Sequence, residues 1–213
     1  ADIAIGAHRV LYDSGKIIEK TTHENSVLEP KIVLERILYD DGIDLSAWGK
    51  LYKISLFEDI RFPKGRLFED SATTYMLVDK AKKIAVHSES KYNYIIRKDS
   101  ISNASFSPKK MDLITSTREM SEYVKNKYPD LDKAANRRLM YAYLSTLSQL
   151  AKCKEKYTKE EKEMTTYIKK HGNEILKDKR VPKRDKFGII SLKLGFNFYK
   201  FIWRLYLKFT KRF

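Results

Sequence analysis

The spacing of hydrophobic residues changes along the chain from a period of two to a period near 3.6 residues. Apolar residues recur at short intervals in residues 1–12 and 16–20, on either side of an Asp-Ser-Gly turn, which predicts a β-hairpin. Residues 84–87 and 92–97 predict two more strands, the second with a clear alternation of side chains. The first half of the chain is therefore expected to contain a sheet of short strands.

Three helices are predicted between these strands. The first begins at a capping box that pairs Ser26 with Glu29, continues through Pro30 in its first turn, and ends at Asp41-Gly42. The other two are expected over residues 48–57 and 69–82. Short strands with flanking helices give this half an α/β fold class.

Beyond Pro108 the pattern is helical throughout. Helices are predicted over residues 112–127, 131–154, 158–176 and 187–213. A loop rich in Ser and Asn, from Ser100 to Pro108, is the expected boundary between the halves. The sequence thus predicts three parts: an α/β part over residues 1–107, a helical extension over 108–178 and a basic amphipathic tail helix over 179–213.

Charge is distributed unevenly between the two halves. The formal net charge is +15, yet residues 1–107 hold 16 basic and 16 acidic side chains, so residues 108–213 supply all of the excess. This asymmetry predicts chemistry in the first half and attachment to an anionic surface in the second. Nucleic acid is not an expected partner, because the basic residues of the tail alternate with a continuous apolar face and no helix-turn-helix or zinc pattern is visible.

Cysteine and histidine usage narrows the chemistry further. The single cysteine, Cys153, excludes an internal disulfide and a cysteine-based metal cluster, which favours a reducing, cytoplasmic compartment. The four histidines are scattered and form no HExxH pair, so no metal site is expected within this chain.

Several polar residues of the first half suit sugar chemistry. Trp48 offers an apolar face on which a sugar ring could stack, and Lys50 beside it could reach hydroxyl or phosphate oxygens. Asp70, at the predicted start of a helix, stays ionised there and could act as a general base. Arg97, followed by serines after a strand, could clamp a diphosphate. Each residue alone also has an ordinary explanation, as a packing residue, a helix-dipole partner or half of an ion pair.

Four segments that contain these residues follow one another in a distinctive order. They are Ala47–Lys53 (AWGKLYK), Arg61–Gly65 (RFPKG), Leu67–Asp70 (LFED) and Tyr94–Ser102 (YIIRKDSIS). Together they resemble the C-terminal half of the catalytic domain in bacterial family-2 glycosyltransferases of the GT-A fold, which build capsular and exopolysaccharide chains. The opening residues 1–5 resemble the strand that follows the metal-binding segment of that family. The resemblance covers residues 1–107 closely and the later helices loosely.

The resemblance implies an inverting transfer of a hexosyl group from a nucleotide-sugar donor to a saccharide or lipid-linked acceptor. It implies that Asp70 is the catalytic base, which deprotonates the acceptor hydroxyl, and that Glu69 shapes the acceptor pocket. It also implies that Trp48, Gly49 and Lys50 line that pocket beneath the sugars.

The donor side is expected to lie mainly outside this chain. The resemblance places Arg97 and Ser100 near the donor diphosphate, but the family's Asp-x-Asp motif, which holds Mg²⁺ or Mn²⁺, is expected upstream of Ala1. The pair Asp40-Asp41 follows an amphipathic helix rather than a buried strand, and we interpret it as a helix stop. The chain alone is therefore expected to be inactive.

The tail carries a narrow cationic stripe beside a wide apolar face. On a helical wheel the stripe consists of Lys193, Lys200, Arg204, Lys208 and Lys211. With aromatic residues such as Trp203 on the apolar side, the pattern is typical of a helix in the headgroup plane of an anionic membrane, and it predicts a peripheral position on the inner face of the cell membrane. Two alternatives are that the apolar face packs on the preceding helices, and that the helices form a non-enzymatic membrane- or partner-docking module.

Overall fold

The computed structural model of the protein describes residues 1–96 and 105–210, with side chains as far as Tyr206. These residues form two compact units. The first contains residues 1–96 and 126–131, and the second contains residues 105–125 and 132–210.

Among the described residues, a mixed five-stranded sheet forms the centre of the first unit. Its strands are β1 (Ile3–Leu11), β2 (Ile17–Lys20), β3 (Ser26–Leu28), β4 (Lys50–Tyr52) and β5 (Ile84–Ile95). They lie in the order β2-β1-β5-β3, and β4 pairs with the beginning of β1. Strands β1 and β5 run parallel, whereas the other pairs are antiparallel. Strand β1 is therefore an inner strand of the sheet, paired with other strands along both of its edges.

Two α-helices and two short 3-10 helices, the second over Pro129–Leu131, belong to the described part of this unit. Helix α1 (Pro30–Tyr39) begins with proline, whose fixed φ suits a first helical turn, and helix α2 (Glu69–Lys80) begins with two acidic residues. The first 3-10 helix spans Ile54–Phe57. The core combines alternate residues of the sheet with one face of each helix, and it includes Ile3, Ile5, Ile37, Leu77 and Ile84.

Helices account for the regular structure in the described part of the second unit. They are α3 (Asp112–Lys127), α4 (Asp132–Leu150), α5 (Thr158–Lys177), α6 (Lys183–Lys193) and α7 (Phe196–Thr210), with a 3-10 helix over Pro108–Met111 before α3. Helix α4 supplies many of the buried residues, including Met140, Tyr143 and Leu147. It packs against both α5 and α6, which makes it the central helix of the unit.

The mixed α/β arrangement of the first half and the helical C-terminal part confirm the predicted fold class. The hairpin of β1 and β2 and the helices near residues 69–82 and 112–127 are also confirmed. The GT-A assignment stays a prediction.

Two predictions for residues 26–57 are wrong. Ser26 does not cap α1: it lies in β3, where its hydroxyl donates to Glu24 (2.8 Å), and Glu29 occupies the N-cap without a side-chain cap bond. The helix predicted over residues 48–57 is replaced by β4 and the first 3-10 helix. Gly49 precedes β4 with a φ of 69°, outside the helical region, and pairing with β1 then satisfies the backbone of β4.

Two further predictions are corrected in the later elements. The strands predicted over residues 84–87 and 92–97 form the single strand β5 as far as Ile95, because both segments pair with β1. The single tail helix predicted within residues 179–213 is two helices, α6 and α7, because Gly195 between them has a φ of 106° that cannot continue an α-helix. Within the described ranges, every helix is too short or too polar to cross a lipid bilayer.

Candidate functional site

A buried lysine holds the loop between α1 and β4. Lys50, the first residue of β4, turns its ammonium group back into this loop, where Nζ lies 3.0 Å from Asp44 Oδ1, 2.7 Å from the Ser46 carbonyl oxygen and 3.2 Å from Ser46 Oγ. The Lys50 side chain is 2% exposed, so these oxygens replace its hydration shell. Asp44 also accepts hydrogen bonds from the backbone N–H and the hydroxyl of Ser46. Lys50 therefore fixes the shape of the loop over residues 44–48.

The charge of Asp44 is stabilised by the same contacts. Burial works against the carboxylate, but the Lys50 ammonium and the hydrogen bond from Ser46 outweigh it and hold the pKa of Asp44 below its usual range. The other carboxylate oxygen lies 3.6 Å from Nδ1 of His8. Burial is the largest influence on His8 and lowers the pKa of its imidazole, so the ring is neutral near neutral pH. The contact between His8 and Asp44 is therefore polar rather than ionic.

Trp48 belongs to an aromatic cluster beside this loop. Its indole stacks on Tyr92 and Tyr94 with centroid distances of 4.7 and 5.0 Å, and His8 meets it edge-on at 4.8 Å. Tyr92 and Tyr94 contact the same ring because side chains two residues apart in a strand point to the same face. The cluster leaves Trp48 half-buried and fixes its ring plane. A fixed, partly exposed indole suits contact with the apolar face of a sugar ring.

An open cleft lies next to the aromatic cluster. Its volume is about 490 Å³, within the usual range for ligand pockets. A smaller recess, lined in part by Trp48 and Lys50, shares His8 and Asp44 with it. The other polar side chains of the cleft are Glu19, Lys20, Thr21, His23 and Asp40. Imidazole, carboxylate and hydroxyl groups give this cleft both donors and acceptors for a hydroxylated ligand.

The predicted catalytic carboxylates lie in the first turn of α2. Phe68 precedes the helix in a left-handed conformation with a φ of 57°, which brings Glu69 and Asp70 to the helix start. Glu69 is exposed, whereas Asp70 is half-buried and its Oδ1 accepts the backbone N–H of Ser71 at 2.7 Å. The positive end of the helix dipole favours a carboxylate over a carboxylic acid at this position.

Tyr52 contacts the loop that carries Trp48. Its hydroxyl donates to the carbonyl oxygen of Ala47 at 3.4 Å. Burial raises the pKa of the Tyr52 phenol, and the negative charges of Asp44 and Asp70 raise it further. The charge of Asp70, at the start of α2, is thus felt by a phenol whose hydrogen bond lies in the Trp48 loop.

The remaining residues predicted for the sugar site fall in different places. Gly49 adopts a left-handed φ of 69°, and its carbonyl oxygen accepts the backbone N–H of Gly6 at 3.1 Å, which ties the Trp48 loop to β1. Arg97 and Ser100 lie outside the described residues, so their predicted approach to a diphosphate stays a prediction.

The residues predicted for the membrane are divided between two helices. Lys193 ends α6, whereas Lys200 and Arg204 lie on α7. Trp203, also on α7, lines a pocket of the helical unit. The side chain of Lys208, and Lys211 as a whole, lie beyond the described part of the chain.

His8, Asp44 and Tyr52 are parts of this site that the sequence does not predict. The contact of Asp44 with Lys50 depends on the turn between them, and no pattern in the sequence indicates that turn. Tyr92 and Tyr94 carried a usable signal, because their alternation in a predicted strand places both rings on one face.

The described carboxylates of this unit do not gather into a metal site. Asp40 ends α1 with a left-handed φ of 58°, which confirms the helix stop predicted for Asp40-Asp41. Among residues 1–96 and 105–210, no group of three or more His, Cys, Asp or Glu side chains could hold a metal ion. The described side chains do not fit the Mg²⁺ or Mn²⁺ that the resemblance implies.

Comparison with known proteins relates part of the chain to one enzyme class. No family model matches the chain. A 58-residue segment is 45% identical to the protein named "Glycosyltransferase GlyA" of Streptococcus pneumoniae serotype 4 (strain ATCC BAA-334 / TIGR4). That segment spans 27% of this chain and 8% of the relative. The chain therefore contains a glycosyltransferase-related region.

Proposed function

We propose that this chain forms the acceptor-binding and catalytic-base part of an inverting glycosyltransferase. The enzyme would transfer a hexosyl group from a nucleotide sugar to a saccharide or lipid-linked acceptor during synthesis of a cell-surface polysaccharide such as a capsule. The segment shared with a glycosyltransferase supports the enzyme class. The finer proposal depends on one observation: Asp70 is a half-buried carboxylate in the first turn of α2. Its charge also acts on the Tyr52 phenol, which donates to the Trp48 loop.

Asp70 acts as the general base in this proposal. Its carboxylate takes the proton of an acceptor hydroxyl while the acceptor oxygen attacks the anomeric carbon of the donor. A new carbon–oxygen bond forms, the bond to the nucleoside diphosphate breaks, and the diphosphate leaves with the electron pair. A single displacement of this kind inverts the anomeric configuration. The proton leaves Asp70 for solvent before the next cycle.

The acceptor sugar would lie against Trp48, whose ring is already fixed by its aromatic neighbours. The neutral imidazole of His8 and the carboxylate of Asp44 can donate to and accept from sugar hydroxyls in the adjoining cleft. Lys50 would act as a positioning residue, because its ammonium is occupied by oxygens of the loop. Exposed Glu69 would border the entrance beside Asp70.

The donor side would use Arg97 and Ser100 together with residues outside this sequence. A Mg²⁺ or Mn²⁺ ion bound there would neutralise the diphosphate charge as it leaves. The described residues take no part in holding that ion, and the base chemistry of Asp70 does not require it to touch the metal.

Asp70→Asn tests the proposal in the longest natural form of the protein. The amide keeps the size of the side chain but cannot take a proton, so we expect the turnover number to fall about 10²–10⁴-fold with an unchanged circular dichroism spectrum. Asp112→Asn, a first-turn acid of α3, is the matched control and should leave turnover unchanged. Unaltered sugar transfer by Asp70→Asn would exclude the base role and favour the non-enzymatic docking alternative.

Attachment to the inner face of the membrane completes the proposal. Exposed apolar residues recur every three or four positions along α6 and its C-cap residue, and again along α7, so each set lies on one side of its helix. They are Phe187, Ile190, Leu194, Phe198, Phe201 and Leu205. The basic residues Lys193, Lys200 and Arg204 accompany them, which suits an anionic leaflet.

Vesicle flotation tests this attachment. The double variant Phe198→Ser/Phe201→Ser should lose about 3 kcal/mol of binding to anionic vesicles, roughly a hundredfold, because two large apolar side chains no longer enter the lipid. Leu51→Ser, at a still more exposed apolar residue of the first unit, is the control and should float like the unaltered chain. Equal flotation of the double variant would show that this face does not enter the membrane.

A further inference from the structure

A small pocket in the helical unit is built from aromatic and arginine side chains. It lies between α4, α6 and α7 and has a volume of about 110 Å³. Tyr141, Tyr199, Trp203 and Tyr206 supply its aromatic wall, and its charged lining residues are Arg184 and Asp185. The proposed sugar site lies in the other unit and uses none of these residues.

The pocket adjoins an excess of positive charge. Asp185 is 3% exposed, and its two oxygens are occupied by Arg137 at 3.1 Å and Arg184 at 2.9 Å. Arg138 lies over the Tyr141 ring at 4.9 Å, and the other two guanidinium groups lie 5.5 and 5.6 Å from the same ring. Three guanidinium groups thus surround the Tyr141 ring, and two of them share the carboxylate of Asp185, so these four charged groups sum to about +2.

One buried donor of the pocket wall, on Trp203, and one on Arg138 beside Tyr141, have no acceptor among the described residues. The indole Nε1 of Trp203 and the Nε of Arg138 are both shielded from water, and no described residue accepts a hydrogen bond from either atom. Arg138 is 9% exposed. A buried donor that lacks a hydrogen-bond acceptor lowers stability by about 1–3 kcal/mol, so an acceptor that enters the pocket would recover this free energy. The excess charge indicates that this acceptor is an anion.

We propose that this pocket, the arginine–tyrosine pocket, binds a phosphate group. A phosphate monoester carries a charge of −1.5 to −2 and three acceptor oxygens, which matches a charge of about +2 and the unfilled donors. Arginine pairs with phosphate through its planar array of N–H groups. A volume of about 110 Å³ holds a group of this size, whereas whole drug-sized ligands need about 300 Å³ or more.

The phosphate could come from a lipid headgroup or from a soluble ester. A lipid source is favoured because α6 and α7, which form the pocket, also carry the exposed apolar residues of the proposed membrane face. This choice of source rests on the proposed membrane attachment. Binding of phosphate itself does not, and it does not depend on the transferase proposal.

Titration calorimetry of the full chain with inorganic phosphate tests the site. We expect saturable binding at millimolar phosphate, weakened about tenfold or more by Arg184→Gln. Trp203→Phe keeps an aromatic ring but removes the N–H donor, and it should weaken binding severalfold. Lys169→Gln removes an equal charge from an exposed position of α5 and is the control, so it should bind like the unaltered chain.

An indole N–H resonance measurement needs no variant of the pocket. The chain has two tryptophans, and phosphate should shift the Trp203 signal while the Trp48 signal stays in place. Absence of both heat and an indole shift would overturn the proposal. Binding that Arg184→Gln and Trp203→Phe leave unchanged would also overturn it.

Vesicles distinguish the two sources. With a lipid source, vesicles containing phosphatidic acid should bind more tightly than phosphatidylglycerol vesicles of equal charge, and Arg184→Gln should abolish the difference. If the chain binds phosphatidic acid and phosphatidylglycerol vesicles equally but still gives the heat of phosphate binding, the ligand of the pocket is a soluble phosphate ester. If Phe198→Ser/Phe201→Ser no longer floats with vesicles but still gives the heat of phosphate binding, membrane attachment and phosphate binding are independent of each other.

Discussion

Replacing Lys50 with methionine would separate a structural role from direct contact with a sugar. Methionine fills nearly the same volume but carries no ammonium group. The carboxylate of Asp44 and the carbonyl oxygen of Ser46 would therefore lose a donor that now lies 3.0 and 2.7 Å away. Water cannot easily replace it, since the Lys50 side chain is almost fully buried.

The burial of each partner sets the magnitude. Removal of one partner from a fully buried ion pair costs about 3–5 kcal/mol. Lys50 is 2% exposed but Asp44 is 30% exposed, so water can reach part of the carboxylate. We therefore expect the free energy of unfolding of the first unit to fall by about 3 kcal/mol, the lower end of that range.

The same change alters the acid dependence of stability. The pKa of Asp44 is held low in the folded state, so its contribution is present above the unfolded value of about 4 and is lost as the pH falls through the folded pKa. In Lys50→Met the pKa of Asp44 rises towards or above its unfolded value. The variant should therefore lose less stability than the unaltered chain as the medium is acidified.

Urea unfolding followed by circular dichroism measures these effects. Lys53→Met is the matched control, because Lys53 pairs with Asp2 at 2.8 Å but is 61% exposed, and such a surface pair contributes about 0–1 kcal/mol. Asp44→Asn added to Lys50→Met should recover much of the loss, because no buried charge is left unpaired. The reasoning is refuted if Lys50→Met is no more destabilising than Lys53→Met. A raised KM for acceptor at unchanged stability would instead assign Lys50 to direct sugar contact.

Two other changes test packing and linkage elsewhere. Gly172→Ala places a Cβ 2.6 Å from Cγ2 of Ile189. Overpacking costs about 1–3 kcal/mol, whereas the better helix propensity of alanine returns about 1 kcal/mol, so the midpoint of thermal unfolding should fall. An unchanged midpoint would mean that α5 and α6 separate freely. Tyr128→Phe removes a hydrogen bond to Asp79 (2.7 Å). Burial and Asp79 raise the pKa of Tyr128 to about 12, which favours the neutral phenol in the folded state. The free energy of unfolding should therefore decline between pH about 10 and about 12 more steeply in the unaltered chain than in the variant. Parallel curves of unfolding free energy against pH would contradict this.

Elements with local signals at both ends could be predicted from the sequence. The helix predicted over residues 112–127 coincides with α3, which starts just after Pro108 and stops before the Tyr128-Pro129 pair. The first hairpin is similar, since its turn and both strands lie within twenty residues. In each case the residues that decide the structure are neighbours in sequence.

Residues 48–57 show why other elements could not be predicted in this way. Strand β4 has three residues and forms by pairing with Ile3–Ile5 of β1, more than forty positions earlier. The apolar residues that gave the segment a helical pattern are not a buried face, because Leu51 is 77% exposed and Ile54 is 85% exposed. A distant backbone partner outweighed the local preference, as tertiary contacts commonly do for short segments.

The Trp-Gly-Lys segment shows that the local sequence also does not predict the environment of a side chain in the site. Sequence reasoning assigned Trp48 and Lys50 to one sugar pocket as two direct contacts, yet in the folded chain the two side chains differ in kind. The indole of Trp48 keeps part of its surface open, whereas the ammonium of Lys50 is enclosed by loop oxygens. Gly49 between them takes the left-handed conformation that separates the two orientations. A lysine in such a segment can therefore indicate the shape of a loop, and a binding role for it has to be tested against its burial.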